Sequence, residues 1–221
     1  MKNISVSPEL KQKVPGVQLS CIECDVDVQQ KNSGLWAMVE NKIEELANTL
    51  KVEHISKLKA IADSRKAYKT CGKDPARYRL SAEALLRRVV KRRELYQVNN
   101  VVDVLNLVSI STGFSIGGYD AAKIEGAVKF GIGKKNELYN GIGRGELNIE
   151  FMPVFRDDLG AFGTPTSDSE RTAVSGNTRR FLMIIIDYGN NSEIEKATEM
   201  AVSLLKEYTN ANNVEINTIL S

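Results

Sequence analysis

The sequence predicts an α+β fold: a mixed, largely antiparallel sheet flanked by helices, with a helical N-terminal extension. Three observations predict it. Apolar residues recur at three- and four-residue spacing through long stretches of the first half of the chain. Beyond Ile116 the texture changes to short strand-like runs separated by glycine turns, "AVKFGIG", "ELNIEFMPVF" and "RRFLMIII". A last amphipathic stretch, "SEIEKATEMAVSLLKEYT", follows Gly189 with Ser192 as its cap and is expected to close the chain. Helices first, strands next and a helix last segregate the elements in the α+β manner.

Taken in order, "ISVSP" and "VQLSCIECDVDV" (Val17 to Val28) are expected as short strands separated by Pro15-Gly16. "LWAMVENKIEELANTLK" carries Leu35, Met38, Val39, Ile43, Leu46 and Leu50 at helical spacing, and "ISKLKAIADSRKAYK" continues as a second helix. Pro75 breaks the pattern at "GKDPARYR", because it lacks an amide hydrogen and pushes Asp74 out of helical geometry. Residues 1–70 are therefore expected to form a strand-and-helix extension packed on the core, and residues 71–221 the main domain. "SAEALLRRVVKRREL" opens with Ser81 as the expected N-cap. Its inner stripe is Ala82, Leu85, Leu86, Val89 and Val90, and Arg87, Arg88, Lys91 and Arg92 point away. "NNVVDVLNLVSISTG" has strand-forming valines, but Val101, Val104, Leu105 and Val108 keep helical spacing. With Asn100 to cap it and Gly113 to end it, a helix is expected.

The 221 residues, 42% hydrophobic and 26% charged, suffice for one sizeable core of an ordinary soluble chain. No apolar run approaches the roughly 18 residues of a membrane span, so no membrane partner is expected. "MKNISVSPEL" lacks the apolar centre of a signal peptide, and three cysteines make no disulfide framework; the expected compartment is the cytoplasm. A net charge of +2 says little by itself, but its distribution says more. Arg77, Arg79, Arg87, Arg88, Lys91, Arg92 and Arg93 cluster against the single acid Glu83. Such a stripe suits a phosphate-bearing partner, the alternative being a solvated helix face.

Few residues offer conventional catalysis. The single histidine, His54, has no nucleophile elbow near it. Cys21 and Cys24 in "CIEC" have metal-ligand spacing, but Cys71 alone supplies no second pair, so buried strand cysteines are expected. "GIGKK" and "GIGRGE" do not join a strand to a helix as a dinucleotide fingerprint does, and are expected as turns. The "RDD" run, Arg156 to Asp158, is expected as a solvated turn. Neither a metal nor a cofactor is therefore expected. Three polar stretches remain: "STGFSIGGYDAAKIEG" (111–126), "GIGRGELNIE" (141–150, with Glu146) and "GTPTSDSERTAV" (163–174). Each is expected as a loop that joins apolar elements, and each mixes glycine, which lets a ligand approach the backbone, with side chains that donate or accept.

"NNVVDVLNLVSISTGFSIGGYDAAKIEG" resembles the B3/B4 domain of the bacterial phenylalanyl-tRNA synthetase beta subunit. Val101-Val102-Asp103-Val104, Asn106, Gly113, Tyr119-Asp120, Lys123 and Ile124-Glu125-Gly126 fall in register with that family. The resemblance covers about residues 75–190. "DPARYRLSAEALLRR" with "GTPTSDSERT" is similar to free-standing B3/B4 proteins, which lack aminoacylation machinery.

The resemblance implies hydrolysis of a wrong amino acid from the 3′ end of a tRNA by an oriented water. It also implies an aminoacylated tRNA as partner, with a synthetase as a further associate. Gly117 stands where the synthetases carry a histidine, and Gly118 and Tyr119 follow it into the expected pocket. The editing carboxylate falls within Ser167 to Glu170, so Asp168 and Glu170 are the catalytic candidates. Asp168, short and flanked by two serines, is the first choice to orient the water. Glu170 has a structural alternative, pairing with Arg171 or Arg144. Thr164, Thr166, Ser167, Ser169 and Glu146 complete the expected pocket, whose hydroxyls suit a small or polar amino acid; the alternative for the 163–174 loop is that it only caps the strand. Arg79, Arg87, Arg88, Lys91, Arg92 and Arg93 are the residues expected to meet tRNA. The rival expectation is a non-catalytic tRNA-binding or protein-interaction module on the same fold.

Overall fold

A computed structural model describes residues 1–220 of the chain. Two four-stranded sheets lie face to face, and helices cover the outer face of one. The first sheet has the order β10-β2-β9-β3 and is antiparallel throughout, from β2 (Gln18–Asp25), β3 (Ser115–Asp120), β9 (Arg180–Asp187) and β10 (Asn212–Leu220). The second has the order β1-β4-β7-β8, from β1 (Ile4–Val6), β4 (Val128–Ile132), β7 (Pro153–Asp157) and β8 (Gly160–Gly163). Only its β1–β4 pair is parallel. A two-stranded hairpin, β5 (Asn140–Gly141) with β6 (Gly145–Glu146), stands apart. The class is α+β as predicted, and both sheets draw strands from either side of residue 70.

Period-two alternation explains the layering. On β9, Phe181, Met183 and Ile185 pack with the helices, while Leu182, Ile184 and Ile186 face the second sheet. On β2, Ile22 and Cys24 take the helix side, and Leu19 and Cys21 the sheet side. "FLMIII" is continuously apolar because both of its faces are covered. Cys21 and Cys24 are buried strand residues as predicted, three positions apart and so on opposite faces.

The helices are α1 (Pro8–Lys13), α2 (Ser33–Thr49), α3 (Val52–Ile55), α4 (Lys59–Cys71), α5 (Ser81–Val90), α6 (Asn100–Thr112) and α7 (Glu193–Thr209). None of the described helices is long and apolar enough to cross a membrane. The valine-rich stretch is a helix as predicted and ends on Gly113, whose φ of 80° needs a residue without Cβ strain. Its cap is Asn99 rather than Asn100: the Asn99 side chain accepts from the Val102 amide. Asn100 is fully buried instead, donating to the Asp27 and Tyr208 carbonyls and accepting from the Gln29 amide.

Four further expectations are corrected. Ser81 is the first helical residue of α5, not its cap, and its amide donates to the Pro165 carbonyl at 2.7 Å. α5 ends at Val90 and turns off through Arg92 (φ 51°), so Lys91 and Arg92 lie beyond the helix. The stretch "SIGGYD" is strand β3, not loop. The chain closes on strand β10, which covers the edge of β2, not on α7.

Candidate functional site

Asp168 lies where the edge strands of the two sheets meet. Tyr119, on edge strand β3, turns its ring inward between the sheets, where it packs edge-on against Phe162 with centroids 4.9 Å apart. Gly117, two residues earlier, shares that face of the strand, and the phenol lies over it. A Cβ at Gly117, or at Gly163 on edge strand β8, would collide with the Tyr119 hydroxyl. The two glycines thus form a notch for the phenol. From it the hydroxyl donates to Asp168 Oδ1 at 2.8 Å, and the Gly118 amide makes a longer 3.4 Å bond to Oδ2.

The loop that carries Asp168 is held by its own hydroxyls. Thr164 Oγ1 donates to the Ser167 carbonyl (2.8 Å) and accepts from the Thr166 and Ser167 amides. Thr166 Oγ1 hydrogen-bonds Tyr68 Oη at 3.0 Å, and the buried Tyr139 donates to the Ser167 carbonyl at 2.6 Å. Ser169 Oγ accepts from the Arg171 amide, while its backbone bridges to Gly141 of the hairpin. The Asp168 carbonyl accepts from the Ile142 amide. Asp168 is thereby fixed from the strand, the loop and the hairpin together.

Asp168 keeps a partial opening to solvent, yet burial dominates its titration. Burial pushes its carboxyl up to about 7, against the opposing hydrogen bonds from Tyr119 and Gly118. Burial also holds the Tyr119 phenol well above its ordinary value, so it stays a donor. A carboxylate has about four acceptor sites, and Tyr119 and Gly118 occupy two. The remaining acceptor capacity can take a proton from a water near neutral pH.

The other candidates separate. Gly117, Gly118, Tyr119, Thr164, Thr166, Ser167 and Ser169 all lie about Asp168, but the hydroxyls of Thr164, Thr166 and Ser169 are engaged within the loop or with Tyr68. Glu170 is exposed at the start of a 3-10 turn, Glu170–Thr172, and the pairing with Arg171 is corrected: Arg171 binds the buried Asp157 at 2.8 and 3.0 Å. The "RDD" run is correspondingly no solvated turn, since Arg156 pairs with Glu137 and Asp157 with Arg171. Glu146 is exposed on the hairpin. His54 is exposed on α3. Tyr68 and Tyr139 went unread in the sequence, and Gly163 enters there only as the glycine of a polar stretch. The sequence places Gly117 and Tyr119 in one expected pocket, but nothing local marks the notch or its opposite wall.

The cations also divide. Arg79, Arg87, Arg88, Lys91 and Arg93 line one surface recess of about 320 Å³. Arg87 is tied to the buried Glu83, which also binds Arg65. Arg92 faces away, joining Glu44 (3.2 Å) and Asn48 (2.8 Å) on α2. No group of three His, Cys, Asp or Glu able to hold a metal occurs among the described residues.

Comparison with known proteins places the chain, though not the particulars of this site, in a family. The model of the B3/4 domain matches residues 63–210. Among solved structures, the chain is similar to an N-terminal fragment of the phenylalanyl-tRNA synthetase beta subunit from Pyrococcus horikoshii, at a TM-score of 0.50 and 15% identity. The match covers 98% of this chain and 50% of that one, so the likeness is one of fold and spans about half of the fragment's length. No curated protein sequence matches the chain.

Proposed function

Because the chain belongs to the B3/4 domain family, we propose that it acts on tRNA, hydrolysing the ester that joins a wrong amino acid to the tRNA 3′ end. The observation that carries this reading is Asp168: a carboxyl raised to about 7, held by Tyr119 and Gly118 and only partly open to solvent. As carboxylate it accepts a proton from a water that attacks the ester carbonyl. An aminoacyl ester is already activated, so orientation of that water is the chief requirement. Ser167, beside Asp168 on the same partly open loop, is the hydroxyl best placed to meet the amino acid or the terminal ribose. The cationic recess on α5 and beyond it would receive the tRNA backbone.

A panel of tRNAs, each charged with one of the amino acids, tests the reading by release of amino acid in excess enzyme. Release from at least one charged species, well above spontaneous loss, is expected. Binding of tRNA without release from any species would leave a non-catalytic tRNA-binding module.

A further inference from the structure

A second cleft, of about 580 Å³, opens between α2 and the segment 92–97 that leaves α5, away from Asp168. Two aromatic rings line it: Trp36 of α2 and Tyr96 of the segment. Tyr96 is 69% exposed, yet it is not loose. The Arg88 guanidinium lies 4.5 Å from its ring centroid and is itself fixed by donating to the Glu94 carbonyl. Leu95 is buried in the helical core, and Arg92 ties the segment to Glu44 and Asn48. The cleft is therefore a built surface between two anchored walls.

Its charge differs from that of its neighbour. Glu40, Glu44 and Glu94 share the cleft with Arg92 and Arg93, so it is no phosphate site. The adjoining recess holds Arg79, Arg87, Arg88, Lys91 and Arg93 with no acid in its lining. Arg93 lines both, and Arg88 connects them by lining the recess while backing Tyr96. An aromatic, nearly neutral cleft beside a purely cationic one matches the two halves of a nucleotide.

We infer that the cleft takes an unpaired RNA base against Tyr96 and Trp36, with the flanking phosphate held by the cationic recess. The inference rests on the tRNA reading for its ligand class but needs no hydrolysis. Gln97 in the lining offers an amide to a base edge, and Tyr96 offers its free surface for stacking.

Trp36 is the only tryptophan of the chain, so its fluorescence reports occupancy directly. The full chain is titrated with a short unstructured oligoadenylate and, separately, with a duplex RNA of equal length. The single strand is expected to quench Trp36 saturably, and the duplex not to. Tyr96→Ala should weaken binding about five- to a hundredfold with the salt slope unchanged, because it removes a stacking surface and no charge. Tyr96→Phe, which keeps the ring, should bind like the parent and controls for folding. Absence of quenching, equal quenching by the duplex, or parental affinity in Tyr96→Ala would each overturn the inference. The aminoacyl-tRNA panel separates the two claims. Quenching without ester release would refute only the hydrolase, and release with no effect of Tyr96→Ala only the base cleft.

Discussion

Asp168 carries the proposed chemistry, and its environment gives it a second measurable property. Its carboxyl is raised in the folded chain to about 7, so the folded state binds this proton more tightly than the unfolded state. The stability so contributed is complete below about pH 4 and is lost as pH rises through about 7. Asp168→Asn removes the titration while keeping an oxygen for the Tyr119 hydroxyl. Thermal melts between these limits should fall less with pH in the variant than in the parent. Parallel curves would mean that Asp168 titrates normally. Asp103, buried in α6 and pushed up to about 6 by burial, contributes in the same direction and leaves a residual slope in both proteins. Asp168 was legible in the sequence as a short acid between serines, but its partner was not. The two glycines before Tyr119 look like a loop signal, and only the packing of β3 against β8 shows that Gly117 makes room for the phenol. The threonines misled in another way. A hydroxyl-rich loop resembles a pocket wall from its composition, whereas Thr164 and Thr166 spend their hydroxyls on the loop and on Tyr68.

At the scale of elements, α5 illustrates what periodicity can and cannot show. Of the expected apolar stripe, Ala82, Leu86 and Val89 are buried as spaced, while Leu85 and Val90 are only half-buried. Glu83 was the lone acid in a basic run, and its near-complete burial between Arg65 and Arg87 depends on a residue 18 positions away in sequence. Basic residues of one run therefore play four parts: Arg87 neutralises Glu83, Arg88 backs Tyr96, Arg92 joins α2, and Arg79, Lys91 and Arg93 remain exposed. Replacing these last three with glutamine should flatten the salt dependence of tRNA binding, by a slope of about 0.7 to 0.9 for each phosphate no longer neutralised. Arg92→Gln should leave the slope unchanged. A slope unaltered by the triple substitution would return the recess to an ordinary solvated surface.

Across the whole molecule, the order of helices and strands gave away the class, but long-range pairing remained hidden. β10 keeps a period of two through Val214, Ile216, Thr218 and Leu220. Most of its side chains stay exposed, so it lacks the apolar density that marked β9. It nevertheless pairs with β2 from Asn212 to Leu220 and carries Glu215 to Arg180. Ending the chain after Ala211 should bare the backbone edge of β2, lower the melting temperature and promote aggregation. An unchanged melt would make β10 dispensable. At the site these sheets assemble, Asp168 is proposed to activate water at the ester of a misacylated tRNA. That proposal is tested most directly by single-turnover ester hydrolysis of a responsive aminoacyl-tRNA from about pH 5.5 to 8.5, in parent and Asp168→Asn, after subtraction of spontaneous loss. The parent rate should rise through an apparent pKa near 7, and the variant should be slower by about ten- to a thousandfold with that titration gone. Equal rates and coincident profiles in the two proteins would contradict the account.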